Sequence, residues 1–193
     1  MHEVVGWRER SPDPRMSDRT PAQGEPDAEW VRDACRGDRA AFGLLYRRYR
    51  PMVHGILLAR VASSDVDDLV QDVFLRAYER LATLRDVRSF GAWLSVLARN
   101  RANDHFRRAR DTTELPEDLA VHDRDMVETE EVLEMIRSLP GAYRETLILR
   151  LVEGMTGPEI AARTGLTAAS VRVNLHRGMK QLREKLSRTE IHE

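Results

Sequence analysis

The sequence predicts an all-α chain of two small helical domains joined by a flexible acidic linker, the second domain carrying a helix-turn-helix. Three observations carry this prediction. Apolar residues recur every three to four positions in each structured stretch, as one helix face requires, and no period-two pattern is present. Each stretch is bounded by Gly, Pro or a capping Ser, Thr or Asp. Charge is also segregated. Arg99–Arg110 holds five arginines and one aspartate (+4), Pro158–Leu186 holds six Lys/Arg and two glutamates (+4), and Asp111–Glu134 holds ten acids and one arginine (−9). The net charge of −1 therefore conceals two basic modules with an acidic strap between them.

Composition excludes several classes. No run approaches the ~20 apolar residues that a membrane span needs. The N-terminal MHEVVGWRERSPDPR has no apolar core for a signal peptide, so no membrane insertion and a cytoplasmic location are expected. Cys35 is the only cysteine, which rules out an internal disulfide or an intrachain thiolate metal site.

Taken in order, residues 1–26 are rich in Pro, Arg, Asp and Ser, without period, and read as a disordered tail. Met16 is a candidate start alongside Met1. The first domain spans 27–110. A short helix, Glu29–Arg36, stops at Gly37, and Asp38 caps the next. Its stripe is Phe42, Leu45, Tyr49, Val53, Ile56 and Leu57, and Pro51 inside it is expected to bend the helix near Arg47 or Arg48. Ser63, Ser64 and Asp65 offer caps for a third helix, whose stripe is Val66, Leu69, Val70, Val73, Phe74, Ala77 and Leu81. Asp65, Asp67, Asp68 and Asp72 invite a metal-site reading. No His or second carboxylate cluster follows at ligand spacing, and a helix N-terminus favours acids in any case, so no metal and no cofactor are expected.

Leu84–Ser89 is a loop. The next helix, from Phe90, is anchored by Phe90, Trp93, Leu94 and Leu97, then turns to Arg, Asn and one aromatic, Phe106. Arginine neutralises phosphate, asparagine reads base edges and rings stack on unpaired bases, so this half suits a nucleic-acid surface. A solvated arginine-rich helix end, favoured there by the helix dipole, is the plainer alternative. The linker is 111–127.

The second domain, 128–187, begins with helices Glu128–Ser138 and Ala142–Val152, separated by Pro140 and Gly141 and closed by Gly154. Thr156 with Glu159 forms a capping box, and Pro158 suits the first turn. Gly165 sits where a left-handed residue ends a helix. Thr167 caps a final helix with the stripe Val171, Leu175, Met179, Leu182 and Leu186. Its other face carries Arg172, Asn174, His176, Arg177, Lys180 and Arg183. Two helices, a glycine turn and a basic outer face form the pattern whose second helix enters the DNA major groove; an ordinary helical hairpin with a solvated basic face is the alternative. Residues 188–193 are a short C-terminal tail.

Over residues 27–187 the chain resembles bacterial RNA polymerase sigma factors of the extracytoplasmic-function group in the sigma-70 family. Three blocks carry the resemblance, in order: DVDDLVQDVFLRAYERL, FGAWLSVLARNRANDHFRRAR and LPGAYRETLILRLVEGMTGPEIAARTGLTAASVRVNLHRGMKQLREKL. The resemblance implies a promoter-specificity subunit without catalysis, working with core RNA polymerase on promoter DNA and held by an anti-sigma partner, with no small-molecule substrate. The first block implies a polymerase-docking face of Asp68, Leu69, Gln71, Asp72, Phe74 and Arg76. The second implies minus-ten recognition and melting by Arg85, Asp86, Arg88, Trp93, Arg99, Asn100, Asn103, Arg107 and Arg108. Trp93 fits a melting wedge by resemblance and core by its stripe. The third implies minus-thirty-five contacts by Ser170, Arg172, Val173, Asn174, His176, Arg177 and Lys180, where Val173 and Asn174 depart from the usual small polar and basic residues. The acidic linker would follow the family's connector through the RNA exit path, or act as a plain tether. A stand-alone helix-turn-helix regulator explains only Thr156–Leu186. An enzyme built on the aspartate cluster lacks a nucleophile, a general base and an oxyanion donor set.

Overall fold

The computed structural model of the chain describes residues 25–111 and 124–189; the expected N-terminal tail, most of the linker and the last four residues lie outside them. The described residues are helical, with no strand. Four helices form the first module: α1 Glu25–Cys35, α2 Arg39–Leu58, α3 Val66–Arg80 and α4 Phe90–Asp111. Four form the second: α5 Arg124–Arg137, α6 Gly141–Leu151, α7 Gly157–Thr164 and α8 Ala168–Thr189.

Local chemistry sets the boundaries. Asp38 accepts from the N–H groups of Ala40 (2.8 Å) and Ala41 (3.2 Å), satisfying orphan donors at the start of α2. That helix runs unbroken through Pro51. Helix α1 starts four residues before the expected Glu29, because Pro26 occupies a first turn that needs no donor. Helix α5 likewise begins at Arg124 instead of Glu128. Acidic residues there suit a helix N-terminus, so a charge pattern read as linker also serves as a helix start.

Burial follows the stripes. Leu45, Met52, Val53, Ile56 and Leu57 of α2 meet Leu69, Val70, Val73 and Phe74 of α3 and Phe90, Leu94, Ala98 and Ala102 of α4, each at most 4% exposed. In the second module, Leu147, Ile148 and Leu149 of α6 pack with Ile136, Ile160, Val171 and Leu182. The two modules do not stand apart. Helix α2 lies against α6 and α7, α4 lies against α7, and the apolar core runs through both modules as one cluster.

The helix-turn-helix forms as its sequence requires. The Thr156 hydroxyl accepts from the Glu159 N–H at 3.4 Å, and Glu159 accepts from the Thr156 N–H at 2.9 Å. Gly165 takes φ +77°, open to a residue without a Cβ. Thr167 then accepts from the Ser170 N–H at 3.1 Å, starting α8. Thr156→Ala should destabilise the fold by about 1 kcal/mol in urea unfolding, the usual cost of a lost N-cap; an unchanged midpoint would mean the box contributes nothing.

Candidate nucleic-acid interface

Helix α3 presents one outer ridge. Asp68 and Gln71 are exposed on it. Leu69 and Phe74, also of the expected docking face, are 4% and 3% exposed and lie inside the core. Two residues missed from sequence join the ridge, Leu75 (58% exposed) and Tyr78 (39% exposed). Their signal was available, since both are large apolar residues off the buried stripe. The edge of the Tyr78 ring meets Phe42 with centroids 4.9 Å apart, which fixes it in place.

The aspartates at the start of α3 do not converge. Asp67 pairs with Arg50 at 3.0 Å, Asp65 with His105 at 3.0 Å, and Asp72 with both Arg76 and Arg101. Among the described residues no three His, Cys, Asp or Glu side chains form a metal-binding group. Asp72 and Arg101 tie α3 to α4. Burial pushes the Asp72 carboxyl up, but the hydrogen bond and charge of Arg101, with those of Arg76, more than offset it and hold it below its ordinary range.

The loop before α4 is shaped by Asp86, which accepts from the Arg88 N–H at 2.9 Å, while Ser89 donates to the Asp86 carbonyl at 2.7 Å. Asp86 is thus occupied as a cap, while Arg85 and Arg88 project outward. Trp93 is half-buried beside Phe90, ring centroids 5.8 Å apart. Asn100, Asn103, Arg107 and Arg108 are exposed along α4. With Arg76, Arg80 and Arg101, the first three line a polar groove of about 410 Å³ between α3 and α4. Several cations and two side-chain amides in one groove suit a phosphodiester strand with bases turned out.

Arg99 is placed differently from its neighbours. Its guanidinium reaches across to α6 and grips Glu145 with two hydrogen bonds, 2.6 and 3.1 Å, and donates to Ser95 at 3.0 Å. In this arrangement it faces the second module instead of the groove.

On α8, Arg172, His176, Arg177 and Lys180 are exposed, Val173 is 44% exposed and Asn174 half-buried. Ser170 is exposed, with its hydroxyl 2.8 Å from that of Thr167, so its first role is at the helix start. The face holds four side chains that can carry positive charge and one apolar contact, on the second helix of a helix-turn-helix.

Comparison with known proteins now decides the family. The sigma-70 region 2 model matches residues 45–112, and the sigma-70 region 4 model matches residues 129–182. The sigma factor CarQ of Myxococcus xanthus is 30% identical, the match covering 80% of this chain and 94% of CarQ. The chain belongs to the extracytoplasmic-function sigma factors. SigD of Mycobacterium tuberculosis is 33% identical over 85% of each chain. BldN of Streptomyces coelicolor is 30% identical over 93% of this chain and 75% of that protein. The solved structure of CnrH in complex with the cytosolic domain of CnrY superposes with a TM-score of 0.61 at 27% identity, covering 84% of this chain and 98% of CnrH. Sigma factors are non-enzymatic initiation factors that act with core RNA polymerase on promoter DNA, and the lone-regulator reading falls to a match over both modules. No helix among the described residues is long and apolar enough to cross a membrane.

Because the Asp72 carboxyl is held below its unfolded value of 3.8, its contribution is present above that pH and is lost as pH falls through the lowered value. Asp72→Ala should therefore cost about 1–3 kcal/mol at pH 7 by leaving Arg101 unpaired, and the gap from wild type should close towards pH 3. Urea unfolding at the two pH values checks this, and a gap that does not depend on pH would contradict it.

Proposed function

We propose that the chain docks on core polymerase through the outer ridge of α3, opens and reads the minus-ten element with the α3–α4 groove and the loop before it, and reads the minus-thirty-five duplex with α8. The observation that carries this is the pairing of a strand-sized polar groove on one module with a major-groove helix on the other. A lone repressor needs only the second. Asn100, Asn103 and Arg107 contact the separated strand. Arg85 and Arg88 border the loop where an extruded base would sit, a step that costs a few kcal/mol of unstacking. Arg172 and Arg177 are suited to guanine edges, Val173 to a thymine methyl and Lys180 to phosphate.

The chain works in the cytoplasm, has no catalysis of its own and needs no cofactor. An anti-sigma protein is its inhibitor, by analogy with CnrH, whose solved complex contains CnrY.

Incubating the purified chain with core polymerase and host genomic DNA, then sequencing transcript starts, tests the whole reading; no new start points relative to core alone would overturn it. The docking ridge has its own test. Asp68→Arg with Gln71→Arg should abolish co-purification with core polymerase while leaving the thermal midpoint unchanged, since both residues are exposed. Asp72 is unsuitable for that experiment because its loss also frees Arg101. Arg172→Ala and Arg177→Ala should each weaken binding to the selected minus-thirty-five duplex by about 1–3 kcal/mol and relax specificity at one position; equal loss on all sequences would reduce them to phosphate contacts.

A further inference from the structure

The contact between the modules contains an anion site that draws Arg99, one of the residues expected to contact the minus-ten element, away from the α3–α4 groove. Glu145 of α6 is 4% exposed. Its two oxygens meet Arg60 at 2.7 Å and Arg99 at 2.6 and 3.1 Å, both from the first module. Arg144 is a further positive charge acting on Arg60. One carboxylate thus faces two guanidinium groups, Arg60 and Arg99, and the trio stays net positive. Arg60 Nε is buried without a hydrogen-bond partner, so Glu145 leaves donor capacity unused. Guanidinium donors match phosphate as well as carboxylate, and phosphate has more acceptor oxygens to offer.

The seam around this site is tight. A Cβ on Gly55 would lie 2.8 Å from Leu149 Cδ2 and 2.9 Å from Glu153 Cγ. A Cβ on Gly91 would lie 2.5 Å from the Arg163 carbonyl oxygen. Ser95 donates to the Thr164 carbonyl at 3.3 Å, His54 meets Glu153 at 2.5 Å, and Arg137 donates to the Leu58 carbonyl at 3.0 Å. Promoter geometry cannot be met in this closed form. Elements centred at minus ten and minus thirty-five are about 25 base pairs apart, roughly 85 Å at 3.4 Å per pair, whereas a compact body of this size has a radius of gyration of only about 15 Å. The modules must part before both elements are read.

We propose that Arg60 and Arg99 form a binding site for a promoter DNA backbone phosphate, and that Glu145 occupies it as an intramolecular stand-in while the modules are closed. Separation of the modules withdraws Glu145 and Arg144 together and leaves two arginines of the first module, Arg99 on α4 and Arg60 beside it, facing solvent. Parting the modules and exposing the site are therefore one event. This inference rests on the sigma-factor reading. Its test uses no polymerase, so the two can fail separately.

The probe is a fluorescein-labelled single-stranded dT20, because a phosphate contact is independent of sequence. Two variants of the full chain open the seam by different means: Glu145→Ala removes the stand-in, and Gly55→Leu wedges α2 from α6, since the close neighbours of a Cβ there are Leu149 and Glu153 of the second module. Each should enlarge the radius of gyration in X-ray scattering and tighten dT20 binding at least five-fold at 50 mM salt. In the Glu145→Ala background, Arg60→Ala should weaken binding and lower the slope of log K against log salt by about 0.7, the value for one single-strand phosphate. Variants that expand without binding more tightly would overturn the stand-in, and variants that stay compact would overturn Glu145 and Gly55 as keepers of the seam. An unchanged slope on losing Arg60 would overturn the phosphate site.

Discussion

A carboxylate can be buried only if something replaces its water, and in this chain the replacement comes from the other module. Glu145 is held by Arg60 and Arg99, and Arg60 in turn is buried. Burial lowers the readiness of Arg60 to keep its proton, and Glu145 partly restores it. Neither side of this contact is comfortable alone, since either charge left buried without the other is expensive. That mutual dependence adds a polar tie to two modules that already share one apolar core, and it sits among the close contacts at Gly55, Gly91 and Ser95.

Within the first module a second set of ion pairs has a different use. Asp72 with Arg101, and Asp65 with His105, bind α3 to α4 along their length. One helix carries the ridge proposed for polymerase docking, and the groove proposed for DNA opening lies between the two. A packed and salt-bridged seam between them means that a shift of one moves the other. The second module shows no such duality: its basic face is on α8 alone, and α5, α6 and α7 serve to hold that helix outward.

Much of this was legible from sequence because it is encoded locally. The Thr156–Glu159 box, Gly165 and the α8 stripe each need only neighbours within a few residues, and each formed as read. The same holds for the Asp38 cap and the stripes of α3 and α4. Helix starts were less legible at α1 and α5, where acidic and proline residues suit both a loop and a first turn. Inward and outward faces of α3 follow the period: Leu69 and Phe74 belong to the stripe and are buried, while Leu75 and Tyr78 fall off it and are exposed. The contact between modules was not legible. Nothing in the spacing of Arg99 tells it from Arg107, and only the fold brings Glu145, 46 residues away, within reach of one and not the other.

Two of the seam glycines, Gly55 and Gly91, carry a consequence for inheritance. Any single-base change that replaces a glycine codon with that of another amino acid adds at least one carbon where α6 or the Arg163 carbonyl already sits. Only the smallest residue fits at these two places without a neighbour shifting, so the close approach of the halves is one nucleotide from being disturbed.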